Sequence, residues 1–396
     1  MGLFRKNKSK KELIAIIDIS SASVGGMLLE KSQGSREIIS SARYPINFLF
    51  DIDFQAHWRS TTTSINRVLS ELTKNYQKRP DKILCVFSLL WGVSQTRIIK
   101  VRKEQSFKVK KNFLDKLIND EVKIFKSQWQ NKTPSLKESS ELIESEAMKV
   151  ALNGYFLQDP DDKHAKTIDM YVYMSLILKE VRDKTRELLS RYLGETTVYF
   201  HTLPYVIFIF LRDELNISDR FMFLEIGGET SELSTIKDGI LEETISFPKG
   251  RNFLIRKIAT ELKTFIDDAE SNLKSFREKH ISNHLSAGIE KIIDDNKKNW
   301  YEYFYRIFSD LSQDCPLPRD IFVLGDKTIT PEIIDFLKDD SFSKFTTLGK
   351  PLEVKEISAE DLSHYFKFRG SFDKDKDLFL MIESFFADRF LNYNIK

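Results

Sequence analysis

The stretch Phe221–Gly239 reads FMFLEIGGETSELSTIKDG, and its reading decides the fold. An apolar run enters Glu225. A Gly227–Gly228 pair follows, and Glu229-Thr230-Ser231-Glu232 leads into a second apolar run, Leu233–Ile236, closed by Lys237-Asp238-Gly239. The pattern predicts strand, tight glycine turn and strand, with a carboxylate at the end of the first strand. Glycines, having no Cβ, let backbone N–H groups close on an anion. A carboxylate beside that anion can hold a divalent cation or a water on it. An ordinary β-hairpin has the same pattern, so the decision rests on whether the chain supplies a second such turn.

It does. Glu12–Ile19 carries the apolar run LIAIID, Ser20–Ser23 is a polar turn, and Val24–Glu30 is a second strand. A Gly34-centred turn leads to a third strand, Glu37–Tyr44. The later stretch gains its own third strand in Ile240–Phe247. Each three-strand meander is followed by helix, strand and helix. Phe54–Gln77 has helical spacing after the first. Lys249–Ala269 has it after the second as one helix, with Glu270–His280 as its continuation or a second helix, and Lys297–Ser312 adds an aromatic-rich helix. Internal duplication of this kind outweighs any single motif. It predicts an α/β chain of two similar halves whose glycine or serine turns face each other across a cleft. The first half takes residues 12–81 and 166–218, and the second takes 219–396. Residues 82–165, with strands Lys82–Leu90 and Gln95–Val101 and a helix Lys110–Trp129, form a small α+β subdomain inserted in the first half. Residues 1–11 are a basic tail, Asn131–Ser140 is a loop, Leu142–Leu157 is mixed, and Asp375–Leu391 is a final apolar helix of the second half.

Composition narrows the function classes. The chain has 396 residues, 41% hydrophobic and 12% aromatic, enough to fill real cores. Lys plus Arg is 61 against 59 for Asp plus Glu, so no global charge pulls it to nucleic acid or anionic lipid. Cys85 and Cys315 lie far apart and make no metal pattern, which suits a reducing cytosol. No apolar run reaches the ~20 residues needed to span a bilayer. These features predict a cytoplasmic protein without nucleic-acid partners.

With both turns in view, the chain resembles the actin-like ATPase superfamily, and within it the bacterial branch that contains the cell-division protein FtsA and the type IV pilus protein PilM. Ile17-Asp18-Ile19-Ser20-Ser21-Ala22-Ser23-Val24 resembles that branch's first phosphate motif, Asp-Ile-Gly-Ser-Ser-Ser-Val. Leu224-Glu225-Ile226-Gly227-Gly228-Glu229-Thr230-Ser231 resembles its second, Asp-Ile-Gly-Gly-Gly-Thr-Thr. Phe247-Pro248-Lys249-Gly250 resembles a Phe-Pro-x-Gly-Gly junction, and Ile321-Phe322-Val323-Leu324-Gly325 the start of the adenosine motif. The resemblance spans roughly residues 12–391 and implies a duplicated, ribonuclease H-like fold around a nucleotide cleft.

It further implies ATP and Mg2+ as cofactors, with Asp18 and Glu225 as catalytic and metal-holding carboxylates. Ser20, Ser21, Ser23, Gly227, Gly228, Thr230, Gly250, Glu270, Lys274 and Gly325 would contact nucleotide. The departures bear on that chemistry. Ser20 replaces the family's first glycine, and Gly25 stands where the branch often has a phosphate-touching basic residue. Glu225 is one methylene longer than Asp. Glu229 replaces the third glycine and puts an anion where a triphosphate would approach. Glu270 and Lys274 are spaced one residue too far apart.

Each site residue also has a plain structural reading. Asp18 is a turn-starting Asp capping its own loop. Glu225 is a strand-end carboxylate facing solvent, and Thr230 and Ser231 are strand formers. His280 and His284, at i and i+4, can share a helix face as metal ligands, although no third ligand is near. The basic run Arg97–Lys111 is a solvated strand face or a phosphate-backbone binder. Leu378–Leu391 reads as core helix or as interfacial membrane helix. The function expected is an ATP-binding adaptor of a membrane-associated machine, with division and a tubulin-like partner first. The alternatives are pilus assembly with inner-membrane partners, or a nucleotide-free pseudo-ATPase scaffold. Self-association into filaments and indirect membrane contact belong to the same expectation.

Overall fold

In the computed structural model, residues 11–32, 35–48, 53–74, 76, 78–132, 140–325, 329–369 and 376–393 are described. Most of the basic tail, the Gly34 turn, most of the Asn131–Ser140 loop and the residues directly after Gly325 lie outside them. The chain runs β1 (Glu12–Ile19), β2 (Ser23–Ser32), β3 (Ser35–Pro45), α1 (Phe54–Lys74), β4 (Lys82–Phe87), β5 (Gly92–Lys108), α2 (Lys111–Lys132), β6 (Ser140–Leu152), β7 (Tyr155–Leu157) and β8 (His164–Leu178). Next come α3 (Lys179–Leu193), β9 (Val198–Thr202), α4 (Leu203–Ile209), β10 (Phe221–Ile226), β11 (Ser231–Lys237), β12 (Ile240–Phe247), α5 (Arg251–Leu262) and α6 (Ile266–Arg277). The last are α7 (Asn283–Leu311), β13 (Asp320–Gly325), α8 (Thr330–Leu337), β14 (Glu353–Glu356), α9 (Ala359–Ser363), β15 (Lys367–Phe368) and α10 (Leu378–Tyr393).

The duplication is visible in the strand order. One sheet runs β15-β3-β2-β1-β4-β9, and another runs β12-β11-β10-β13-β14. From the third strand of each meander inward the two orders are the same. In both, the first strand pairs antiparallel with the second and parallel with the strand after the helix. The apolar runs LIAIID and FMFLEI become the central strands because a strand covered on both faces needs no polar alternation. A third sheet, β5-β8-β6-β7, is antiparallel throughout.

The chain divides into two compact units. The first comprises the segment up to Phe87, Asp183–Phe210, and Ser358 onward. Its core is built from Leu13–Ile17, Met27–Leu29, Val68, Leu69, Leu84–Val86, Val206–Phe208 and Leu380–Ile382, all buried. The second comprises Ser88–Arg182 and Leu211–Ile357. It holds the five-stranded sheet, with α7 supplying the aromatic wall Trp300, Phe304 and Phe308. It also holds the four-stranded sheet, whose own core joins Met170, Val172, Met174 and Leu176 to Leu114, Val122 and Phe125 of α2.

Several expectations change. Lys82–Phe87 belongs to the six-stranded sheet rather than to the insertion, and β8 pairs with β5 and β6 in the four-stranded sheet rather than with the first half. Residues Leu142–Leu157 form the hairpin β6–β7, because Asn153 and Gly154 both take positive φ (53° and 85°) in a two-residue turn. Lys249–Ala269 is two helices; Lys263 takes the left-handed conformation (φ 52°, ψ 44°) and ends α5. The terminal helix α10 belongs to the first unit, not to the second half. Leu380, Met381, Ile382, Phe386 and Ala387 are at most 1% exposed, and Phe386 meets His201 edge-on at 4.8 Å. A helix apolar on nearly every side is a core helix. Among the described residues no helix is long and apolar enough to cross a membrane.

Candidate functional site

The first turn is organised by Asp18, the last residue but one of β1, which is fully buried. The Ser20 N–H donates to the Ser23 carbonyl (3.1 Å) and closes the turn. Ser20 Oγ donates to both Asp18 oxygens, at 2.9 and 3.0 Å. The second partner is Arg43 on β3, whose Nη2 donates to Asp18 Oδ2 at 2.7 Å. Register places it there: Asp18 is opposite Gly25 on β2, and Gly25 is opposite Arg43 on β3. The three share one sheet face, and the missing side chain at Gly25 lets the guanidinium reach across. A Cβ at Gly25 would stand 2.5 Å from Arg43 Nη2.

Arg43 is shared. Its Nε and Nη2 donate to Asp377 (2.5 and 3.1 Å), and its Nη1 to Ser23 Oγ (2.8 Å). Burial raises the Asp18 pKa, and the Arg43 charge pulls it back. Burial opposes the charge on Arg43, but Asp377 and Asp18 outweigh it and raise its pKa. Behind the pair lies Glu383 of α10, fully buried, neither of whose oxygens has a hydrogen-bond partner. Burial first, and then the Asp18 charge, push its pKa well above the carboxylate range. Ser21, next to Ser20 in the turn, is buried as well.

The second turn is closed from within. The Gly227 N–H donates to the Thr230 carbonyl (3.0 Å). The first N–H groups of a helix have no intrahelical partner and ordinarily welcome an anion. At α5 they are taken: Arg251 N–H donates to the Gly227 carbonyl (2.9 Å) and Asn252 N–H to that of Gly228 (2.8 Å). Gly250 makes this contact possible, since a Cβ there would stand 2.3 Å from the Gly228 oxygen. Glu229 does not face an incoming ligand as its place in the motif predicts. Its carboxylate is 5% exposed and accepts from Arg256 Nη1 and Nη2 (2.7 and 2.8 Å) and from Asn252 Nδ2 (2.8 Å). Its charge is thereby neutralised inside the fold. Ser231 Oγ donates to the Lys249 carbonyl (3.0 Å), while Thr230 Oγ1 is buried without a hydrogen-bond partner.

Glu225 is buried at the end of β10, directly opposite Glu232 on β11. Glu232 is wholly buried; Oε1 accepts from the Leu89 N–H (2.9 Å) and Oε2 has no partner. Burial pushes the Glu232 carboxyl up to about 7, against the pull of the Leu89 N–H. Gly325 pairs with Ile226 and so lies beside the second turn. Glu270 on α6 joins that group through Arg251 (3.0 Å), and Lys274, one turn further along α6, is exposed.

The structure thus gathers Asp18, Ser20, Ser21 and Ser23 in the first unit. In the second it gathers Glu225, Gly227, Gly228, Thr230, Gly250, Gly325 and Glu270. The residues that complete each group, Arg43, Asp377 and Glu383 in one and Asn252, Arg256 and Glu232 in the other, are outside every motif. Neither turn fits MgATP as it stands. Asp18 is committed to a guanidinium, and the Gly227, Arg251 and Asn252 N–H groups to carbonyls. Among the described residues no group of three or more His, Cys, Asp or Glu could hold a metal ion. His280 and His284 do not share a helix, because the chain breaks between α6 and α7. The basic run on β5 is tied to its own subdomain, Arg97 to Glu121 (2.7 Å) and Arg102 to Asp169 (2.6 Å).

No protein-family model and no curated protein sequence matches the chain. Solved structures do. The PilM–PilN type IV pilus biogenesis complex contains a chain 12% identical, with a TM-score of 0.61, covering 94% of this chain and 97% of that one. The ethanolamine utilization protein EutJ of Carboxydothermus hydrogenoformans is 11% identical with a TM-score of 0.42, over 86% of this chain and 84% of its own. A Bacteroides thetaiotaomicron protein with an actin-like ATPase fold is 9% identical with a TM-score of 0.40, over 90% and 94%. The chain has the duplicated α/β fold of the actin-like ATPases.

Proposed function

We propose that this chain is an actin-like scaffold of the pilus type, which docks a protein partner of a membrane-associated assembly machine. One observation carries the proposal: the match to PilM at a TM-score of 0.61 runs nearly end to end in both chains. Support lies with the pilus alternative rather than with the division reading that the sequence puts first. Partner docking needs no phosphoryl transfer, and phosphoryl transfer depends on positioned metal and amide donors. Asp18 and the Gly227, Arg251 and Asn252 amides are internally engaged here, which favours a scaffold over an ATP-hydrolysing adaptor. Cytoplasmic placement against a membrane, through the partner, belongs to the same proposal.

The test is a calorimetric titration of the purified chain with the cytoplasmic segment of a PilN-type protein from the same organism. A tubulin-like division protein is titrated in parallel, and millimolar MgATP is followed by thermal shift. A complex with the PilN-type segment and no thermal response to MgATP is expected. Binding to the tubulin-like protein alone would return the function to division. A melting-temperature rise with MgATP that Asp18→Asn removes would restore the nucleotide-binding adaptor.

A further inference from the structure

The Asp18 turn holds the ligand set of a cation site with a guanidinium at its centre. Two carboxylates, Asp18 and Asp377, and the Ser23 hydroxyl converge on Arg43 at 2.5–3.1 Å. Oxygen donors of this kind are what a hard divalent cation takes. Asp377 also caps α10, its carboxylate accepting from the Leu380 N–H (3.1 Å) and its carbonyl from the Met381 N–H (3.0 Å). Glu383, further into α10, is a buried carboxyl with no hydrogen-bond partner behind Asp18 and is not one of these donors. Nothing but Gly25 separates the β3 side chain from the β1 carboxylate, and its lack of a Cβ is what the guanidinium needs.

We propose that Arg43 is a tethered stand-in for the divalent cation of this turn, bridging Asp18 to Asp377 and so pinning the start of the C-terminal helix α10 to β1. The turn is therefore metal-independent by construction. Its cation is covalently part of the sheet, is charged at every accessible pH, and cannot be removed by chelators. This inference shares the Asp18–Arg43 pair with the scaffold reading but not the choice of partner, so a failed partner titration leaves it standing and metal bound by wild type overturns it without touching the partner.

The experiment is Mn2+ binding by electron paramagnetic resonance and thermal shift on the full-length chain. Wild type is expected to bind no Mn2+ at this turn at about 1 mM metal, on the order of the weakest biological oxygen-ligand affinities, and EDTA leaves its melting temperature unchanged. Arg43→Ala uncovers two carboxylates and gains bound Mn2+ together with a rise in melting temperature of several degrees. Asp18→Asn on the Arg43→Ala background removes both. Arg43→Lys, which keeps a charge but loses the fork, stays metal-free. Should Arg43→Ala fail to fold in buffer, Mn2+ present during refolding recovers it. Mn2+ bound by wild type and lost in Asp18→Asn overturns the inference. So does an Arg43→Ala protein that ignores Mn2+ whether folded or refolding.

Discussion

Glu232 offers a stability change whose size follows from its surroundings. It is wholly buried between β10 and β12, opposite Glu225, and its carboxyl is pushed up to about 7 from an unfolded value of 4.5. Below 4.5 it is protonated in both states and costs nothing. Between 4.5 and 7 the unfolded chain releases the proton while the folded one keeps it, so stability falls as pH rises. Above 7 the loss is complete. At about 1.4 kcal/mol per pH unit between the two titrations, it amounts to about 3 kcal/mol. Glu232→Gln keeps the acceptor for the Leu89 N–H and removes the ionisation. The variant should match wild type near pH ~4.5 and exceed it by about 3 kcal/mol at pH ~8. Urea unfolding at both pH values, followed by tryptophan fluorescence, measures this. Trp91, Trp129 and Trp300 of the four tryptophans lie in the same unit as Glu232. Taking the difference between variant and wild type cancels the titrating groups that do not interact with Glu232. Equal pH profiles for the two proteins, or a variant weaker than wild type at the higher pH, would refute burial as the source of the shift.

Two further substitutions probe the second turn. Arg256→Ala strips a buried carboxylate, Glu229, of its bidentate partner and should cost about 3–5 kcal/mol in urea unfolding. Adding Glu229→Gln should recover most of the loss, because the unpaired charge is gone. Gly250→Ala drives a Cβ to 2.3 Å from the Gly228 oxygen and 2.6 Å from that of Gly227. Backbone must move to relieve it, at a cost of about 1–3 kcal/mol, and hydrogen exchange should show faster exchange at the Arg251 and Asn252 amides.

Much of the fold was legible. Both meanders, the helix after the first and the duplication follow from apolar runs, period and turn residues, because a strand covered on both faces is written as a continuous apolar run; the break at Lys263 between α5 and α6 carries no such signal. The Asn153–Gly154 hairpin was equally present in the sequence as a turn signal between two strands, although the composition around it is mixed. Less legible was the destination of distant segments. The α10 sequence is apolar on most of its surface and fits any core, and periodicity cannot say which sheet receives it.

The opening turn marks the division. Residues Phe221–Gly239 determined by themselves the strand, the glycine turn, the strand and the carboxylate at the strand end, since these are local consequences of side-chain size and alternation. Where Glu229 points was decided only when α5 brought Arg256 beside it. The first turn shows the same limit in its register. Counting back from the Ser32–Ser35 pair would set Gly25 against Ala42, but a bulge between Leu28 and Leu29 shifts β3 by one residue. A one-residue slip exchanges the two faces of a strand. That slip turns Arg43 onto the face of Asp18, and with it decides that the turn closes on a guanidinium of its own.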